Sequence, residues 1–165
     1  MGQARETMDR ITAAVMAGDR EALRQSYAPD AVGETPDAPR LSGAEAVVDY
    51  LLGFTRAFPD ASFESTAKHE SGDTAIDEGY FVGTHTGVLS TPEGDIEPTG
   101  RNLRLRQCDV LTVANGVAVA HHFYYDQLEF LTQLGLTGSD AAGTVPQPRA
   151  GADRPSQVGA ADPPR

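Results

Sequence analysis

Apolar residues recur at helical spacing at the start of the chain, where Met8, Ile11 and Val15 share one side and the pattern stops at Gly18. This predicts a first helix. Asp19 can cap a second, short helix that sets Ala22, Leu23 and Tyr27 on one side and ends before Pro29. Residues 28–41, with three prolines, read as a loop. Ser42 and Glu45 then have the spacing of a capping box ahead of Val47, Tyr50, Leu51, Phe54 and Phe58, which predicts a third helix closing before Pro59.

Beyond Pro59 the period drops to two, and the rest of the fold reads as sheet. Ala61 to His69 and Thr74 to Leu89 are two strands joined by Ser71-Gly72-Asp73, and Gly79, Gly83 and Gly87 in the second predict bulges or sharp curvature. Ser90 to Gly100 is a loop. From Leu103 to Val113 one face carries Leu103, Leu105, Gln107, Asp109, Leu111 and Val113, and the other carries Arg104, Arg106, Cys108, Val110 and Thr112. Asn115-Gly116 is a strong hairpin signal, returning the chain through Val117 to Tyr125. A last helix, Gln127 to Leu134, is capped by Asp126 and stopped by Gly135. Helices first and a curled antiparallel sheet afterwards define an α+β domain over residues 1–136. Residues 137–165, rich in Pro, Gly and Ala and lacking Leu, Ile and aromatics, read as a disordered tail.

Charge narrows the partners. The formal net charge is -11, and since the tail balances three Asp with three Arg, all of it belongs to the predicted domain. An acidic surface repels phosphate backbones and anionic lipid, so neither nucleic acid nor membrane is an expected partner. A neutral, apolar small molecule is. No apolar run of spanning length or signal-peptide type occurs, so a cytoplasmic location is expected. A lone cysteine, Cys108, excludes an intramolecular disulfide and a Cys-based zinc site.

Gly83-Thr84-His85-Thr86-Gly87, Pro98-Thr99-Gly100, the Asn115-Gly116 hairpin, Tyr125-Asp126 and Gln133-Leu134-Gly135-Leu136 occur here in an order and spacing that resemble the SnoaL-like polyketide cyclases of the nuclear transport factor 2-like superfamily. Tyr27-Ala28-Pro29-Asp30 and Phe58-Pro59-Asp60 extend the resemblance over about Met8 to Leu136. It implies a cone of curved antiparallel sheet around helices, a homodimer, a deep apolar pocket, and ring closure of a polyketide by intramolecular aldol condensation with an acidic side chain and no cofactor. Counted back from Gln133, the position of the family's catalytic aspartate is Phe123. A second polar position, histidine in SnoaL, falls on Asp109; the pocket glutamine is kept as Gln107, and a pocket asparagine becomes Gly33.

Asp109 is the first candidate for catalysis. A carboxylate on an otherwise apolar strand face is either paired with Arg or a helix end, or carries a raised pKa suited to acid/base work. His121 lies on the returning strand and, with Phe123 and Tyr125, shares the face of Asp109, so the two could form a hydrogen-bonded acid/base pair; a satisfied core histidine is the competing reading. Asp126 is a third candidate, or simply the cap of the last helix. Glu78 could be a second pocket carboxylate or an edge residue, and His85 could line the pocket mouth or stabilise a bulge. Tyr27, Tyr50, Phe54, Tyr80, Phe123 and Tyr125 could line a cavity for a polycyclic or terpenoid-like molecule, with Gln107 and a Tyr hydroxyl on a developing oxyanion, or pack the core. His121 and His122 face opposite ways, so no metal site is expected. Three functions follow: a cofactor-independent cyclase or isomerase, an epoxide hydrolase or epoxide-opening cyclase with two carboxylates, and a non-catalytic ligand-binding or accessory dimer protein.

Overall fold

The computed structural model describes residues 2–137, so the predicted tail lies outside the described residues except for Thr137. Helix α1 (Gln3–Ala17) ends where Gly18 turns left-handed at φ 65°, a conformation that costs a residue without Cβ little. Asp19 accepts a hydrogen bond from the Ala22 amide at 3.0 Å and starts α2 (Arg20–Ser26). Tyr27 is not part of that helix. It opens β1 (Tyr27–Thr35), which turns back into β2 (Ala38–Ser42) where a loop was predicted. Pro36 lies in the turn and Pro39 in the edge strand β2, where missing N–H donors matter least, and Pro29 lies where the register of β1 with β8 shifts between Tyr27 and Val32.

Helix α3 (Ala44–Ala57) follows, and here the capping box fails: the cap is Gly43, with no side-chain bond, because Ser42 is held in β2 opposite Val32. Strands β3 (Ser62–Ser71) and β4 (Thr74–Thr84) form the next hairpin. β4 stops earlier than predicted, and the predicted loop beyond it contains a small hairpin, β5 (Leu89–Thr91) and β6 (Gly94–Ile96). Then come β7 (Asn102–Ala114), β8 (Val117–Tyr125) and α4 (Gln127–Gln133). Asn115 and Gly116 both take positive φ, 53° and 79°, which matches the right-handed twist of β7 and β8.

The main sheet has the order β2-β1-β8-β7-β4-β3, antiparallel except that β1 runs parallel to β8. Its curvature has local causes. A Cβ on Gly79 would come within 2.4 Å of the Glu64 carbonyl oxygen, beside a register shift between Ser65 and Ala67, so only glycine lets β3 cross this closely. Helices α1 and α3 fill the concave side: Met8, Ile11, Val15, Val47, Val48 and Leu52 pack against Leu111, Val113 and Phe123. A second cluster, with Phe58, Phe81, Leu103, Leu105, Phe130 and Leu134, continues the core.

Helix α1 is also held by charge. Glu70 accepts from the backbone N–H groups of Gly2 and Arg5 at 2.8 and 2.9 Å, satisfying donors that a helix start leaves free. The guanidinium of the same Arg5 forms a two-pronged pair with Asp77 of β4, Nη2 to Oδ2 at 3.0 Å, with both side chains buried, and also bridges to Asp9 one turn along α1 at 3.0 Å.

Candidate active site

The hairpin of β7 and β8 sets Gln107 opposite Tyr125, Asp109 opposite Phe123 and Leu111 opposite His121. Since alternate residues share a face, Gln107, Asp109, His121, Phe123 and Tyr125 all point inward. Above them lie Ile11, Thr12, Val15 and Met16 of α1, and Tyr50, Leu51 and Phe54 of α3; Phe63, Phe81 and Leu105 complete the wall. These residues enclose a cavity of about 70 Å³. An apolar cavity of about 150 Å³ takes up benzene, so this chamber holds one functional group of a ligand rather than a polycycle. A larger molecule must leave most of its body at the mouth or displace the aromatic rim.

Asp109 uses one carboxylate oxygen, Oδ2, to accept from Gln107 Nε2 at 2.9 Å. Its other oxygen, Oδ1, is buried and has no partner among the described residues. Burial pushes its pKa up to about 7; the bond from Gln107 works against this, and the charge of Asp77, its register neighbour on β4, adds to it. Near neutral pH the group is divided between acid and carboxylate.

His121 is 2% exposed, and its Nδ1 lies 2.6 Å from the Tyr27 hydroxyl. Its Nε2 is buried and also lacks a partner among the described residues. Burial, with a smaller contribution from His122, lowers its pKa to about 3, so the ring is neutral at any ordinary pH. The expected direct hydrogen bond between Asp109 and His121 is not formed. Each carries a free polar atom instead, because their strand positions are offset by one pair and each bonds a different neighbour.

At the rim, the Tyr50 hydroxyl bonds Thr35 Oγ1 at 2.5 Å, donates to Asp37 Oδ1 at 2.9 Å and lies 3.3 Å from the Tyr125 hydroxyl. Burial raises the pKa of the Tyr27, Tyr50 and Tyr125 phenols, so all three remain hydrogen-bond donors. Tyr50 also packs on Phe54 and Phe123, with ring centres 5.3 and 5.4 Å apart.

Seven of the predicted residues therefore meet in the chamber: Tyr50, Phe54, Gln107, Asp109, His121, Phe123 and Tyr125. Tyr27 stands behind His121. The others do not enter it. Asp126 is exposed and accepts from the Glu129 amide at 2.9 Å as the cap of α4. Glu78 and Tyr80 lie on the outer face of the sheet, where Tyr80 stacks under Arg104, because the inward phase of β4 is Ala75, Asp77, Gly79 and Phe81. His85 is fully buried against Phe58 and bonded to Thr99, bracing the turn after β4. Thr12, Met16, Phe63, Thr35 and Asp37 were missed. Thr12 and Met16 follow Met8 at intervals of four, a helical signal that was available. Nothing local marks Arg5 and Asp77 as partners, since 72 residues separate them.

No curated protein matches the chain in sequence. Among solved structures, a candidate SnoaL-like polyketide cyclase from Jannaschia sp. CCS1 superposes with a TM-score of 0.71 at 18% identity, over 82% of this chain and 93% of that one. TsrD from Streptomyces laurentii gives 0.68 at 22% identity, over 81% and 96%. IdmH, a candidate polyketide cyclase from Streptomyces antibioticus, gives 0.64 at 29% identity, over 81% and 99%. The model of one sequence family, described as SnoaL-like polyketide cyclase, matches residues 5–134. With the cone-like fold and its apolar chamber, that match means the chain belongs to the SnoaL-like polyketide cyclase family.

Proposed function

We propose that the chain is a cofactor-independent cyclase or isomerase in which Asp109 moves a proton at a carbon next to a carbonyl of an apolar, polyketide-like molecule. The observation that carries this reading is the inward, half-satisfied Asp109 carboxyl, poised near neutrality by burial in an apolar chamber. As the base, its Oδ1 takes the proton, the C–H electron pair forms the carbon–carbon double bond of an enolate, and the carbonyl oxygen gains the charge. The enolate carbon then attacks a second carbonyl in the same molecule or is reprotonated elsewhere by the same acid. Phe123 occupies the place of the family's aspartate, so in this reading the acid/base role has moved across the hairpin to Asp109, its register partner.

Epoxide opening needs a second acid within one water of Asp109. Glu78 and Asp126 lie outside the chamber, and Asp77 is taken up by Arg5. The single acid favours proton transfer at carbon.

The test is deuterium uptake from heavy water next to the carbonyl in a panel of cyclic β-keto esters and polyketide-like β-diketones. The rate should rise with pH to a plateau, with a midpoint near 7 set by Asp109. No falling limb should come from His121, which stays neutral down to about pH 3. Asp109→Asn should abolish exchange while leaving the fold intact; unchanged exchange in that variant would remove Asp109 from the role.

A further inference from the structure

Resting on the proton-transfer reading above, we infer that Tyr27 is a positioning residue that fixes His121 as a neutral Nε2–H donor, so that His121 holds the developing oxyanion and moves no proton itself. The Tyr27 side chain is buried, and its hydroxyl has one partner among the described residues, His121 Nδ1 at 2.6 Å. A neutral imidazole has one nitrogen that donates and one that accepts. If Nδ1 carried the proton, it would donate to the phenol oxygen and leave both the phenol hydrogen and Nε2 without partners, against Nε2–H alone in the other tautomer, so it is the costlier arrangement. With the phenol donating instead, Nδ1 accepts and the ring proton sits on Nε2.

That nitrogen has no partner among the described residues, and His121 lines the chamber. The ring cannot easily turn to offer Nδ1, since it lies between Tyr27, nearly parallel at 6.1 Å, and Phe123, 4.0 Å away. The inner face of the hairpin thus carries unlike groups at diagonal positions: Asp109 Oδ1, able to receive a proton, and His121 Nε2–H, able only to donate a hydrogen bond. A ligand that satisfies both carries an acidic C–H and, on the adjoining carbon, an acceptor oxygen. This is an enolisable ketone or β-dicarbonyl, and the donor is set in place before charge develops on the oxygen.

Nitrogen-15 NMR of the histidine side chains in the full-length protein tests this without a substrate. There are four histidines, and His121 is assigned by the signal lost in His121→Gln. The wild-type ring should show a protonated Nε2 and a bare, hydrogen-bond-accepting Nδ1, and Tyr27→Phe should shift the Nδ1 resonance. A proton on Nδ1 in the wild type, or a spectrum that Tyr27→Phe leaves unchanged, overturns the inference. In the exchange assay, glutamine can replace the donor but cannot carry a proton. His121→Gln should lose about tenfold and His121→Ala about a hundredfold or more. Equal loss in both overturns the donor role. Exchange that survives Asp109→Asn would count against the proton-transfer reading alone, since the NMR tautomer does not depend on it.

Discussion

A carboxyl group buried deeply enough to become a base near neutrality weakens the fold that buries it, and at Asp109 this cost has a defined pH dependence. Its folded-state pKa is raised to about 7, whereas in the unfolded chain it is that of an ordinary aspartate, 3.8. Between those values the folded protein holds a proton that the unfolded chain has lost, so stability falls as pH rises through the window and the full cost is present above about pH 7. Asp109→Asn removes the ionisation and keeps an oxygen for Gln107. The variant should be close to the wild type in stability at about pH 4, where both side chains are neutral. At about pH 8 it should be more stable, by an amount on the order of 2–4 kcal/mol. Urea unfolding at the two pH values measures this, and equal stabilities at the higher pH would mean that the carboxylate is well solvated. Loss of turnover together with a gain in stability is the pattern expected when a residue is kept for chemistry.

At the scale of elements, Asp126 shows how one short motif serves two readings. Its position before α4, with Glu129 three residues on, is a cap signature, and its carboxylate does bond the Glu129 amide. Asp126→Ala should cost about 1 kcal/mol in thermal unfolding and leave deuterium exchange unchanged, and Asp126→Ser should restore most of the stability. A drop in exchange without loss of stability would return Asp126 to the chemistry. The alternation of β7 and the Asn115-Gly116 turn fix the inward face from neighbouring residues alone, so the sequence by itself groups Gln107, Asp109, His121, Phe123 and Tyr125. β4 is apolar on both sides: Glu78 shares the outer face with Ile76, Tyr80 and Val82, while the inner face carries Asp77 and glycines beside Ala75 and Phe81, so alternation alone does not separate the two. β1 and β2 were hidden by prolines that a register shift, a turn and an edge strand accept. Ser42 failed as a cap because sheet pairing, which the sequence does not display, had claimed it.

For the whole molecule, Arg5 and Asp77 join the helical cover of the chamber to the sheet beneath it. They also tune the site. Asp77 lies beside Asp109 across the β4–β7 register, and its negative charge raises the proton affinity of Asp109. Asp77→Asn removes that charge and leaves Arg5 in place, so both changes make ionised Asp109 easier to hold. The midpoint of the exchange profile should therefore move below about 7. Stability should drop, by less than about 3 kcal/mol, because the buried guanidinium loses Asp77 and keeps only the partly exposed Asp9 as a carboxylate partner. A loosened α1 could by itself alter access of water and so mimic an electrostatic effect, which makes Glu70→Gln the necessary comparison. Glu70 ties down the same helix through the Gly2 and Arg5 amides, yet its charge does not contribute to the shift at Asp109. If the coupling is electrostatic, Glu70→Gln weakens the fold while the midpoint stays where it was, and only Asp77→Asn moves it. Equal shifts in the two variants, or an upward shift with Asp77→Asn, would mean that the α1 contact governs the chamber through packing rather than through charge.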